Sequence, residues 1–275
     1  MLGWIDEALR LADRTLADAK SAAHAPTTSY ALAYAALLAL VRYNPKAVPT
    51  YSQAMADIVS RYDLPAPFSS ITAFFQSWTR CLRDEGEAEM RRSIGIYREQ
   101  VSVWLLASFE AALAEAEARA GDTDAGLQRL DGALAELERT EERWYEAEMH
   151  RIRCEILLKR GGANTAAAGQ SLQTAIAIAQ SQKARSFELR AALSLAKLYR
   201  ATNRDADAHA VLRPATRRSA APPSKRQPPI SARRSNWPTS SPRWRRAPRR
   251  ASTGCAYRPA SAMRYSGPRD IRRRK

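Results

Sequence analysis

Glu146, His150 and Cys154 fall at i, i+4 and i+8, a spacing that stacks a carboxylate, an imidazole and a thiol along one face of a helix. These are the ligand types of a zinc site. A single helix supplies all three, with no second segment to close a coordination sphere, and Cys154 stands where the repeat described below takes a small residue. The trio therefore reads as packing plus a solvated Glu–His pair. His24 and His209 have no Cys or carboxylate cluster at ligand spacing and read as surface residues. Glu110, Glu115 and Glu117, with Arg119, read as the solvated face of a helix, not as paired acid and base. The chain contains no Gly-x-Ser-x-Gly elbow, no Gly-x-Gly-x-x-Gly turn and no Gly-x-x-x-x-Gly-Lys-Ser/Thr phosphate loop. No catalytic, cofactor-binding or metal-binding residue is assigned, no cofactor is expected, and the chain is expected not to be an enzyme. Trp78, Trp104, Trp144, Tyr145 and Phe187 sit at helical positions, where aromatic side chains pack between repeats or line the inner groove of an array.

The elements that carry these residues are helices. Leu127, Leu130, Leu134 and Leu137 fall at i, i+3, i+7 and i+10, while Leu172, Ile176 and Ala179 fall at i, i+4 and i+7. Turn-forming residues divide the runs, such as Asn44-Pro45, Leu64-Pro65-Ala66-Pro67, Gly121-Asp122-Thr123 and Gly161-Gly162-Ala163-Asn164. Gly or Asn is expected to close a helix, with Asp, Thr or Asn capping the next. The pattern predicts a helix over 4–21, then pairs at 28–43 with 48–61, 66–84 with 87–102, 104–120 with 123–139, 143–160 with 165–181, and 184–202 with 205–213. Short loops force antiparallel neighbours. Small residues recur seven apart in the second helix of three pairs (Gly126/Ala133, Ala168/Ala175, Ala208/Ala215), with first members 42 and 40 residues apart. Such recurrence lets backbones approach closely and builds a solenoid with units longer than the ~34-residue tetratricopeptide period.

Charge splits the chain. Residues 214–275 hold 18 basic residues and one acid, Asp270, whereas residues 1–213 hold 26 basic and 27 acidic groups. Ten of the 15 prolines lie in the same tail, which cannot bury enough apolar surface to fold alone. Its Arg-Arg pairs, interleaved with Trp237, Trp244, Tyr257 and Tyr265, suit phosphate backbones and base stacking. The favoured alternative is translation in a shifted frame. Arg, Pro, Ala and Ser are what a GC-rich gene yields out of frame, and the turnover begins inside a helix. Three cysteines without regular spacing exclude a disulfide framework and a Cys-rich zinc module. The longest apolar stretch, residues 30–41, is 12 residues, short of the ~20 needed to span a bilayer. An acidic start, Met-Leu-Gly-Trp-Ile-Asp-Glu, is unlike a signal peptide. A cytoplasmic location without membrane contact is expected.

Residues 144–151 (Trp-Tyr-Glu-Ala-Glu-Met-His-Arg), following 137–143 (Leu-Glu-Arg-Thr-Glu-Glu-Arg), resemble a segment of bacterial multidomain regulators. Those proteins join a class III adenylate/guanylate cyclase domain, or a DNA-binding domain, to an AAA-type ATPase and a C-terminal tetratricopeptide-like array. Residues 186–196 resemble the next repeat of that array, and residues 2–9 the second helix of an upstream repeat. The resemblance covers roughly residues 1–213 and implies the array alone. The cyclase aspartates and the ATPase loop have no counterpart here, and residues 81–90 are shorter than the family equivalent.

The expected architecture is thus an all-α, tetratricopeptide-like α-solenoid of antiparallel helix pairs (1–213) with a disordered basic C-terminal tail (214–275). The expected function is a regulatory module, a fragment of a larger cyclase/ATPase-type regulator, that takes a protein or peptide partner in its groove. Nucleic acid is expected only through the tail.

Overall fold

A computed structural model describes residues 5–100 and 105–220. They form an all-α array: α1 (Ile5–Ser21), α2 (Ala25–Val41), α3 (Val48–Tyr62), α4 (Ala66–Cys81), α5 (Glu87–Gln100), α6 (Leu106–Ala120), α7 (Thr123–Thr140), α8 (Glu146–Arg160), α9 (Thr165–Ser181), α10 (Arg185–Ala201) and α11 (Asp205–Ala220). No strand occurs among the described residues. Two details differ from the periodicity. A 3-10 turn, Arg143–Tyr145, precedes α8, and α11 runs past 213. Pro214 removes one backbone donor from that helix, yet Ala215 stays buried, in register with Ala208. Trp104 and the tail readings on 221–275 lie outside the described residues.

Local chemistry explains the boundaries. Pro26, Pro49 and Pro67 occupy first turns, where a missing N–H is harmless. Asp122 caps α7 by accepting a hydrogen bond from the Ala125 N–H at 2.9 Å. Helix exits are less glycine-dependent than expected. Gly121 and Asn203 turn with positive φ, but so do Tyr43, Asp63 and Lys183. The left-handed conformation costs an L-residue about 1–2 kcal/mol. It is offset by bonds that satisfy the last carbonyls: the Asn44 N–H donates to the Ala39 oxygen at 2.9 Å, and the Ala184 N–H to the Ala179 oxygen at 2.8 Å.

Consecutive helices pack pairwise, and α2, α4, α6 and α8 each also touch the next even-numbered helix. The first helices of the pairs therefore form one continuous layer, backed by the odd-numbered helices. The repeat is visible in hydrogen bonds. Arg119 Nη1 donates to the Cys81 oxygen at 2.9 Å and Lys159 Nζ to the Arg119 oxygen at 3.0 Å, across 38 and 40 residues. A cation near the end of α6, and another near the end of α8, thus caps the carbonyl end of the preceding even-numbered helix.

All six recurring small residues are buried. At Gly126 the reason is direct, since a Cβ would lie 2.7 Å from the Ala114 carbonyl oxygen of α6. Between α4 and α6, Phe74 stacks on Phe109 with ring centroids 3.5 Å apart, and Phe75 meets the same ring edge-on. Gly132, on the same helix as Gly126, has nothing within 4 Å of an added Cβ. Urea titration of Gly126→Ala is therefore expected to show a loss of about 1–3 kcal/mol from overpacking. Gly132→Ala is expected to gain about 0.5–1 kcal/mol from helix propensity. Equal effects at the two positions would contradict the close approach.

Candidate functional site: the inner helix layer and its polar centre

The Glu146, His150 and Cys154 trio is not brought together as a site. Glu146 is held by Arg143, whose Nε and Nη2 donate at 2.8 and 2.7 Å. Cys154 is buried in the core, and burial pushes its thiol pKa up to about 12. Burial also holds the half-buried His150 imidazole below its ordinary value, so it favours the neutral form. Among the described residues no three His, Cys, Asp or Glu side chains group to hold a metal ion. His24 and His209 are exposed. Trp78, Tyr145 and Phe187 are buried as packing residues, and Trp144 packs partly buried against the core.

The expectation of a solvated Glu110/Glu115/Glu117 face is corrected. Glu110 and Glu117 are 4% and 1% exposed. Arg129 of α7 donates to Glu117 at 2.8 and 2.6 Å and to Glu110 at 2.8 Å. Arg98 of α5 also pairs with Glu110, and Arg91 of α5 pairs with Glu117 at 2.8 Å. The hydrogen bonds of Glu117 and Glu110 hold the Arg129 pKa above its ordinary value, against the effect of burial. Helix α6 is enclosed by neighbours on several sides, and cations from the flanking helices reach its buried carboxylates there.

A second set of buried charges forms the centre of the inner layer. Glu148 of α8 is fully buried. Arg151 Nε donates to its Oε1 at 2.6 Å, while Arg190 Nη2 of α10 lies 2.7 Å from its Oε2, pairing by charge outside hydrogen-bond alignment. Arg190 Nη1 donates to the Val41 carbonyl at the end of α2 at 2.6 Å. Tyr43, two residues on, accepts from Arg151 Nη2 at 2.6 Å and donates to Glu115 Oε2 at 3.4 Å. The Arg151 and Arg190 guanidinium groups sit 5.3 and 5.1 Å from the Tyr43 ring centroid, within cation–π range. Glu155 completes the set through Arg151. The end of α2 thus meets α8 and α10 across the even-numbered layer, which must curve for this to happen. That layer lies on the inside of the curve.

Burial is the largest influence on the titrating members. It raises the Tyr43 and Glu115 pKa values, which Glu115 and Arg151 respectively reinforce and oppose. Tyr43 as a whole residue nevertheless remains 40% exposed, so this centre reaches solvent. None of Tyr43, Glu148, Arg151 or Arg190 stands out by motif. A signal existed in the period: Glu110, Glu148 and Glu188 are spaced by 38 and 40 residues, and Arg151 and Arg190 by 39. Glu188 is also buried, and accepts from Gln180 Nε2 at 2.9 Å.

No protein-family model matches the chain. Over 188 residues it is 27% identical to an uncharacterized protein of Rhizobium meliloti (strain 1021), a match covering 67% of this chain and 18% of that protein. The chain spans less than a fifth of the length of this relative. Among the described residues no helix is long and apolar enough to cross a membrane.

A carboxyl whose pKa is higher in the folded than in the unfolded state supports the fold while protonated, and that support is lost as pH rises through the raised value. Glu115→Gln is therefore expected to be more stable than the wild type at neutral pH. The difference should close as pH falls below the ordinary glutamate range, read as thermal midpoints across pH. A variant less stable at neutral pH would contradict the burial argument.

Proposed function

We propose that the chain is a non-catalytic interaction module that takes a protein or peptide segment along its inner helix layer. The observation that carries this reading is where large apolar side chains stay open to solvent. Tyr30 and Tyr34 lie on α2, Tyr43 just beyond it, Leu82 at the end of α4, Leu158 on α8 and Leu193 on α10. Against these six, only Leu11 and Tyr62 belong to other helices among the described exposed residues. A soluble surface has little reason to concentrate such groups on one layer unless something covers them. Rigid aromatic rings suit this task because they bury much area for little lost side-chain freedom. The paired charges of the centre give the same layer polar complementarity and orientation.

The resemblance of residues 137–151 and 186–196 supports a finer reading, a regulatory array from a signalling protein of the cyclase/ATPase type. The length of the Rhizobium relative, more than five times the matched segment, is consistent with a repeat region inside a larger protein. A second reading rests on the basic tail: nucleic acid bound through its arginines. That reading requires affinity that falls steeply with salt and disappears when residues 221–275 are deleted.

A photo-reactive residue at position 193 identifies the partner of the inner layer. Affinity for that partner is then expected to fall at least roughly tenfold in Leu193→Glu, the loss of a central apolar contact, with helix content and thermal midpoint unchanged. Undiminished affinity would exclude the inner layer as the docking surface.

A further inference from the structure

Away from the centre of the inner layer, a recess of about 540 Å³ opens between the end of α5, the start of α6 and the second half of α7. Its volume is in the range of small-ligand pockets. Leu106, Ala133 and Leu137 give it an apolar wall. Gly132, at its edge, adds no side chain, and the space above it is open. A side chain placed there would enter the recess, and its Cβ would meet no neighbour.

The charges of the recess decide what it would take. Three arginines line it, and each is already held by carboxylate: Arg98 by Glu110, Arg129 by Glu110 and Glu117, and Arg139 by Glu136 at 2.9 Å. An anion entering would compete with those pairs. Glu142 is different. It stands before the turn Arg143–Tyr145 without capping it. No hydrogen bond or ion pair holds its carboxylate among the described residues. Partial burial raises its pKa above the ordinary carboxylate range, the mark of a charge without compensation. A cation beside it would supply that compensation.

We propose that this recess binds a small organic cation, an ammonium group on an apolar body. Glu142 pairs with the ammonium, and Leu106 and Leu137 receive the body. None of the exposed residues named for the partner surface lines the recess, and the proposal does not rest on that reading.

Calorimetric titration of the full chain tests the assignment with three probes of one shape: phenethylamine, 2-phenylethanol and phenylacetate. Phenethylamine is expected to bind at least roughly tenfold tighter than the alcohol, as a charge-assisted contact allows, and phenylacetate weakest of all. Glu142→Gln is expected to bring the amine down to the level of the alcohol while leaving the alcohol unchanged. Gly132→Leu, an exposed helical substitution that leaves the fold intact, is expected to abolish binding of both. The proposal is overturned if no probe binds at millimolar concentration, if the alcohol or the acid matches the amine, or if the amine binds both variants as it binds the wild type.

Discussion

A carboxylate buried among helices must be met by a donor, and in this chain that requirement recurs in three successive repeats. Glu110, Glu148 and Glu188 occupy equivalent places on α6, α8 and α10, each 4% exposed or less. An ion removed from water without a partner costs several kcal/mol. Each helix carrying such a residue can therefore settle only where a neighbour delivers a donor: Arg98 and Arg129 to Glu110, Arg190 to Glu148 beside Arg151 of the same helix, and Gln180 to Glu188. Apolar packing draws the helices together but tolerates sliding. Bidentate pairs of 2.6–2.8 Å do not, because Arg129 reaches Glu110 and Glu117 only in one register.

The same requirement links architecture to surface. Arg190 satisfies part of Glu148 and also the last carbonyl of α2, so the pairing inside α8 and α10 pulls a helix about 150 residues earlier in the chain into contact. Tyr43 is then held over two guanidinium groups, and the even-numbered layer closes into the inside of a curve. Apolar rings and leucines from four repeats are left exposed on that layer. The recess beside α7 has the opposite character. Its arginines are consumed by the register pairs, and Glu142 is the charge left over.

Much of the fold was legible in the residues. The helices follow from apolar spacing and turn residues, and the seven-residue separation of small residues marked the second helices, where Gly126 proves to sit against the Ala114 carbonyl. Helix exits were legible only in part. Lys183 and Tyr43 adopt a conformation that glycine favours because carbonyl-satisfying bonds and tertiary contact override local preference. The polar centre was the least legible. Whether Glu110 faces solvent depends on Arg98 and Arg129, which come from different helices 12 and 19 residues away, and the Tyr43–Arg190 contact depends on curvature accumulated over several repeats. The 38–40-residue spacing of Glu110, Glu148 and Glu188 was the available sign, and it is a weak one without knowing which face is covered.

The central claim is that the buried carboxylate of α8 and the arginine of α10 act as one unit. A double-mutant cycle with Glu148→Gln and Arg190→Met, measured by urea unfolding, tests it most directly. If the two are coupled, Arg190→Met strips a buried charge of its partner in the wild type but removes little once Glu148 is neutral, so a coupling energy of at least ~1.5 kcal/mol is expected. Effects that add to within ~0.5 kcal/mol would mean that the pair does not set the register of the array.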